Sequence, residues 1–335
     1  MVESCKKRIL VRLDADNRIG MGHAIRVAGL LELLQTPYEL TVIGHGEPLE
    51  TMFPSANLIS TGQESLKRFC YAIHEVNPDL VLVDYPWSDS ILWETARVSP
   101  ELPIVAIDDE GGEIAADLIV NGTVLDEYHQ YSGQFEGTKV MAGGEYALIR
   151  PIFGQTPWTH SSLSSVAIVI GSGKRAHEWA FYLSSGAVNM TDWGVVHMIV
   201  GNTFSEIEKL SNKCSEVGIR LCRGYSGQEM AKVLSRVSTA LITGGMVVYE
   251  AIAVGVPAVV YPQIRNLIPE TQWFAARNCV IDLGYDNGMD PAKVESAVRD
   301  LLYDRGRAKA MSLVQRSTID GLGMIRVAQA IDDLF

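Results

Sequence analysis

The chain is short of cysteine, of long apolar runs and of clustered positive charge, and each shortage removes a class of protein. Its five cysteines, Cys5, Cys70, Cys214, Cys222 and Cys279, are odd in number and scattered over 335 residues. They lack the close pairs of a zinc site or a redox dithiol, so reduced thiols of a cytoplasmic protein are expected. No segment approaches the ~18 apolar residues of a membrane span, and the opening MVESCKKRILVRLD carries no apolar leader. No integral membrane segment is expected. Lys and Arg number 28 against 40 Asp and Glu, a formal net charge of -12. With no basic run to offset it, that balance repels a polyphosphate duplex, so nucleic acid is not an expected partner. A small anion stays admissible, because a few backbone N–H groups and an arginine create a local positive field.

What is present suffices for two packed cores. Hydrophobic residues make up 47% and charged residues 20%, and the length is about twice that of one ordinary domain. Val-, Ile- and Leu-rich runs alternate with helical periodicity, the pattern of parallel strands joined by crossover helices. ILVRLD (9–14), LTVIG (40–44), DLVLVDY (79–85), PIVAIDD (103–109) and ADLIVNG (116–122) read as strands, with helices over 23–35 and 64–76. A Pro-, Ser- and Thr-containing stretch near 152–164 reads as a linker, after which SVAIVIGSG (165–173), VVHMIVG (195–201), IRLCRG (219–224), TALITGG (239–245) and PAVVYPQ (257–263) repeat the scheme. The expected fold is α/β, with two Rossmann-like domains (1–152 and 165–311) facing across a cleft. The terminal helices, 312–335, are broken at GLG and expected to return to the first domain. Ligands of open parallel sheets sit beyond the carboxyl ends of strands, which singles out the loops at 14–23, 84–90, 108–113, 171–177 and 243–250.

RLDADNRIGMGHAIR (12–26) is the first of these loops. Its glycines let backbone pass close to a phosphate or sugar at a helix start. Ile25 stands where a dinucleotide fingerprint needs a third glycine, and no Gly-Lys-Ser/Thr follows, which argues against NAD and against a P-loop. His23, in the first helical turn, is a candidate general base, and Asp14 a candidate catalytic partner. Arg12, Gly20, Met21, Gly22, Asp84, Tyr85, Asp108 and Asp109 are the candidate sugar ligands, with the alternative that one of the strand-end carboxylates at 84 and 108–110 orients His23. For Arg12 and Asp14 the alternative is a structural ion pair, and for the 107–110 run a solvated acidic turn. Tyr146 and Arg150 either touch substrate or secure the linker. His129, His160, His177 and His197 show no metal-ligand spacing, and no metal or cofactor is proposed.

TALITGGMVVYEAIAVGVPAVVYP (239–262) pairs a strand-end Gly244-Gly245 with a short helix carrying Glu250, a left-handed cap at Gly255, and Pro257. The helix start suits a phosphate, and Glu250 a vicinal diol. Gly171, Gly173, Gly244, Gly245, Met246, Glu250 and Gln272 are the candidate nucleotide ligands. This stretch resembles the donor-nucleotide motif of GT-B-type sugar-nucleotide enzymes. The first loop is similar to that of UDP-sugar hydrolases of pseudaminic acid synthesis and their spore-coat polysaccharide relatives. VDYPWSDSILW (83–93), IDDE (107–110), GGEYALIRPIF (143–153) and IDGLGMIRVAQAI (319–331) extend the resemblance over nearly the whole chain. It departs at Met246, where the family carries Ser or Thr, at 171–174, where it carries Gly-Gly-Ser-Asp, and at Thr271-Gln272, where it carries Asn-Gln. The resemblance implies a UDP-linked sugar as the small-molecule substrate, with water attacking the anomeric carbon and His23 catalytic. The alternatives are a glycosyltransferase and a non-catalytic nucleotide-sugar-binding protein. Nothing in the sequence sets an oligomeric state.

Overall fold

Alternation of side chains along β1 (Lys7–Leu13) shows how the first sheet is built. Ile9, Val11 and Leu13 enter one core cluster and Leu10 the other, so both faces are apolar and both must be covered. A computed structural model describes residues 6–15, 21–46, 48–61, 65–85, 90–159, 163–171, 174–202, 204–285 and 288–335. After β1 come α1 (Gly22–Leu31), β2 (Tyr38–Gly44), α2 (Pro48–Met52), β3 (Asn57–Ser60), α3 (Ser65–Val76), β4 (Leu80–Asp84), α4 (Ser90–Ala96) and β5 (Ile104–Ile107). Then follow β6 (Gly112–Glu113), β7 (Leu118–Asn121), β8 (Tyr131–Ser132) and β9 (Lys139–Ala142). The order β3-β2-β1-β4-β5-β7-β9 is parallel throughout, and β6 and β8 form a separate two-stranded ladder. One face packs on α1 through Ala24, Val27 and Leu30, the other on α3 and α4 through Phe69, Ile73 and Trp93.

The second set begins with α5 (Ile152–Gln155) and β10 (Ser165–Ile170), followed by α6 (Lys174–Leu183), β11 (Val195–Val200), α7 (Ile207–Glu216), β12 (Ile219–Arg223) and α8 (Gly227–Leu234). β13 (Thr239–Ile242), α9 (Met246–Val254), β14 (Ala258–Val260), α10 (Ile268–Ala276) and β15 (Ile281–Asp282) complete its sheet, in the parallel order β12-β11-β10-β13-β14-β15. α11 (Pro291–Tyr303), α12 (Arg305–Thr318) and α13 (Gly323–Asp332) close the chain. Among the described residues no helix is long and apolar enough to cross a membrane.

The chain divides into two units, Met1–Leu148 with Leu322–Phe335, and Ile149–Gly321. The stretch 152–164, read from sequence as a linker, is in part packed structure. Phe153 is buried in α5, and the N–H groups of Trp158 and Thr159 donate to the carbonyls of Val254 and Ser235. The terminal helices also divide. Gln315 of α12 is buried and donates to the carbonyls of Val256 and Cys279 in the second unit, whereas Met324, Val327 and Ile331 of α13 enter the first unit's core. Sequence reading missed β3, β9 and β15, which are short and only partly buried, so no apolar run marks them.

The GLG break rests on a close backbone approach. Gly321 has φ +75, and a Cβ there would lie 2.7 Å from Gly154 Cα and N. Gly321→Ala is expected to cost about 1–3 kcal/mol from the backbone conformation alone. The check is a lower midpoint of chemical denaturation with an unchanged far-ultraviolet spectrum.

Candidate functional site

In each sheet the strand order reverses beside the first strand of the set, between β1 and β4 and between β10 and β13. Ligands of such sheets bind past the carboxyl ends at this switch point. In the first unit Leu13 pairs with Asp84 and Asp84 with Ile107, so three strand ends lie side by side. Across them runs the start of α1, whose first turn has neither a side-chain cap nor an acidic residue.

His23 and Arg26, three residues apart, share one face of α1 and both reach Asp84. His23 Nδ1 lies 2.6 Å from Asp84 Oδ1. Arg26 grips the same carboxylate with two donors, Nε to Oδ2 and Nη2 to Oδ1, each at 2.7 Å, and its Nη1 reaches Asp109 Oδ1 at 2.8 Å. Burial opposes the charge on Asp84, but Arg26 and then His23 outweigh it and hold the carboxyl well below its usual range. Burial likewise works against the charge on Arg26, and Asp109 and Asp84 together keep its ionisation well above the ordinary value. A 2.6 Å contact to an ionised carboxylate assigns the ring proton to Nδ1. Arg26 Nη2, 3.1 Å from that nitrogen, is therefore its neighbour rather than its donor. Nε2 is left as an acceptor, and the side chain is 17% exposed, so water can reach it.

This geometry corrects several expectations. Asp84, 1% exposed with both its oxygens engaged by Arg26 and His23, is placed to orient His23, the alternative to binding a sugar hydroxyl. Arg12 and Asp14 form the ion pair that was the alternative to a sugar ligand and a catalytic partner of His23. Arg12 Nη1 and Nη2 lie 2.6 and 3.2 Å from the Asp14 oxygens, Nη2 also donates to Ser65 Oγ, and Asp14 accepts the N–H of His45. The Arg12 guanidinium lies 4.1 Å from the Tyr85 ring centroid, which makes Tyr85 a stacking partner of that pair. Asp108 Oδ2 accepts from the N–H groups of Glu110 and Gly111, the Tyr131 hydroxyl and Asn121, so that oxygen holds the turn after β5. Burial raises its pKa, and those bonds offset part of the rise. Asp109, with its side chain 44% exposed, is the acidic residue of that turn tied into the His23 network.

Met21 is the N-cap of α1 and Gly22 its exposed first residue, where a Cβ would meet nothing within 4 Å. Gly20 and Gly173 lie outside the described residues. A cavity of about 840 Å³ in this unit, lined by Arg8, Tyr38, Phe53 and Asn57, includes no member of the His23 network.

In the second unit the N–H of Gly171 donates to Thr243 Oγ1 at 3.2 Å, joining the ends of β10 and β13. Gly244 and Gly245, at φ +99 and +79, take backbone conformations that suit only glycine, and Gly245 caps α9 with no side-chain acceptor. Gly255 supplies the left-handed C-cap at φ +83. Met246 opens the helix, and Gln272 stands exposed on α10. Glu250 is partly exposed by area, yet its carboxyl sits deep among protein atoms and has no hydrogen-bond or ion-pair partner among the described residues. Burial pushes it up to about 8, and the charge of Arg150 only partly opposes this. Arg150 Nε is itself buried and unpartnered, with Arg150 Cδ 3.1 Å from where a Cβ on Gly227 would stand. Arg150 thus acts on the Glu250 carboxyl through space, with no ion-pair contact between them. Sequence reading missed Arg26 altogether, although its spacing from His23 was a usable signal.

No family model matches the chain. It is 21% identical over 330 residues to the spore coat polysaccharide biosynthesis protein SpsG of Bacillus subtilis (strain 168), covering 96% of this chain and 97% of that protein. Among solved structures it is similar to the UDP-GlcNAc 2-epimerase of Neisseria meningitidis bound to UDP-GlcNAc, with TM-score 0.60, 13% identity, and 98% and 99% of the two chains covered. It is also similar to CalG4, the calicheamicin glycosyltransferase, with TM-score 0.65, 14% identity and 98% of both chains covered. The chain has the GT-B fold, two Rossmann-like parallel α/β sets, and is related to a protein of polysaccharide biosynthesis.

Proposed function

We propose that this protein hydrolyses a UDP-linked amino or deoxy sugar at its anomeric C–O bond, releasing UDP, in nonulosonic-acid or surface-polysaccharide biosynthesis. The observation that carries this reading is the 2.6 Å contact between His23 Nδ1 and the buried, ionised Asp84. It leaves Nε2 of a partly exposed ring as a proton acceptor at the carboxyl edge of the sheet. In the proposed step Nε2 takes a proton from water as the water oxygen bonds to the anomeric carbon. The C–O bond to the diphosphate breaks with its electron pair leaving on UDP, and Asp84 steadies the imidazolium. In the second unit the start of α9 would receive the diphosphate, and Glu250 the ribose hydroxyls. The epimerase bound to UDP-GlcNAc supports UDP as the nucleotide.

A transferase reading draws support from the likeness to the calicheamicin glycosyltransferase. There an acceptor hydroxyl replaces water. Incubation with UDP-sugars alone separates the readings. The expected result is UDP and free sugar in equal amounts without acceptor. Release only after an acceptor is added means transfer, and UDP binding without turnover means a sensor.

A further inference from the structure

Asp109 occupies a position that solvation alone does not explain. It is the outer end of a chain of charged contacts that runs through Arg26 Nη1, through Arg26 Nε and Nη2 to Asp84, and from Asp84 Oδ1 to the ring of His23. Asp84 Oδ1 is shared, since it accepts from both His23 Nδ1 and Arg26 Nη2. The more strongly Arg26 acts on that oxygen, the less negative charge remains for the ring. Asp109 draws on the opposite end of the same guanidinium.

We propose that Asp109 is a positioning residue for His23, acting through Arg26 to set how readily the ring takes up a proton; its catalytic meaning rests on the reading of His23 as the base. With the ring neutral, Asp84, Arg26 and Asp109 sum to one negative charge, and a proton on Nε2 brings the cluster to neutrality. Without the charge of Asp109 the cluster starts neutral, and Arg26, with Nη2 3.1 Å from Nδ1, opposes the imidazolium more strongly. Among the described residues, the groups facing this end of α1 are Asp84 from β4, Asp109 from the turn after β5 and Arg26 from α1 itself. The Arg12–Asp14 pair at the end of β1 bonds to itself, to Ser65 Oγ and to the His45 N–H, and has no bond to His23 or Arg26. α13, which packs on α1, carries Asp332, bonded to the N–H groups of Gln35 and Thr36 beyond the other end of α1, and Arg326, bonded to the Glu145 carbonyl. α2, also against α1, carries Glu50.

The test is a pH titration of the His23 ring by nuclear magnetic resonance in the full chain without substrate, comparing wild type, Asp109→Asn and Asp109→Glu. Asp109→Asn is expected to move the midpoint of the ring's titration to lower pH by roughly 0.3–0.7 unit, a two- to fivefold weaker proton affinity, and Asp109→Glu to restore most of it. The acid limb of the kcat/KM profile should move with the ring. A midpoint unchanged in Asp109→Asn, in a protein whose amide spectrum is otherwise native, overturns the proposal. Because the ring is observed directly, a shifted midpoint in a protein that releases no UDP would refute the hydrolase reading and leave the coupling standing.

Discussion

Replacing His23 with alanine is expected to lower UDP release from a UDP-linked sugar by about 10²–10⁴-fold, the range for removal of a positioned general base. UDP affinity should stay within about twofold of wild type, since the nucleotide contacts proposed here belong to the other unit. The size of the loss follows from the geometry, because His23 is the group whose ring presents an acceptor nitrogen while its other nitrogen is held at 2.6 Å by a buried carboxylate. Asp84→Asn tests the same arrangement from behind. An amide there can turn its N–H₂ towards Nδ1, which favours the tautomer with the proton on Nε2 and removes the acceptor. A comparable rate loss, up to about 10⁴-fold, is expected. That variant also leaves Arg26 short of a charged partner, and breaking a buried pair costs about 3–5 kcal/mol, so it should unfold more readily than His23→Ala. Steady-state kinetics with thermal unfolding of both variants separates the effects. A His23→Ala enzyme that retains full rate would remove the imidazole from the mechanism.

Glu250→Gln is the second large effect, and it has opposite signs on binding and on stability. The carboxyl is raised from 4.5 to about 8 by burial, so between those pH values the folded protein holds a proton that the unfolded chain has released. Stability from this group is therefore complete below about pH 4.5, declines as pH rises, and is lost above about 8. Glutamine removes the titration. The variant should be more stable than wild type at pH 8.5 by up to about 5 kcal/mol, and little changed at pH 5. Nucleotide binding should move the other way. A carboxylate accepting from ribose hydroxyls forms charge-assisted bonds worth about 1.5–3 kcal/mol, so UDP should bind the variant roughly 10–100-fold more weakly at pH 8.5. Wild-type affinity should rise with pH through that region, with a proton released on binding, and the variant should show neither. Calorimetry in two buffers of different ionisation enthalpy measures both. Equal UDP affinity in wild type and Glu250→Gln would place the ribose elsewhere. The charge of Arg150 opposes part of the rise at Glu250.

Parallel strands covered on both faces advertise themselves as unbroken Val, Ile and Leu runs, and the sequence by itself therefore determined the two α/β sets. Local stereochemistry was equally legible: Gly244, Gly245 and Gly255 take the backbone conformations their positions around α9 demand. Short edge strands such as β3 and β9 were not, because one exposed side removes the apolar signal. The Arg12–Asp14 pair was an alternative already open in the sequence, but partnership within the His23 network was decided by tertiary structure. His23 meets Asp84 across 61 residues of chain and Arg26 meets Asp109 across 83, because the order β1-β4-β5 sets three strand ends side by side beneath one helix. The same packing paired Arg12 with Asp14 and left Glu250 without a hydrogen-bond or ion-pair partner among the described residues. A charged side chain is read from sequence as a charge, but its role depends on which opposite charge the strand order brings within about 3 Å, and Coulomb energy in a poorly solvated setting makes that choice large.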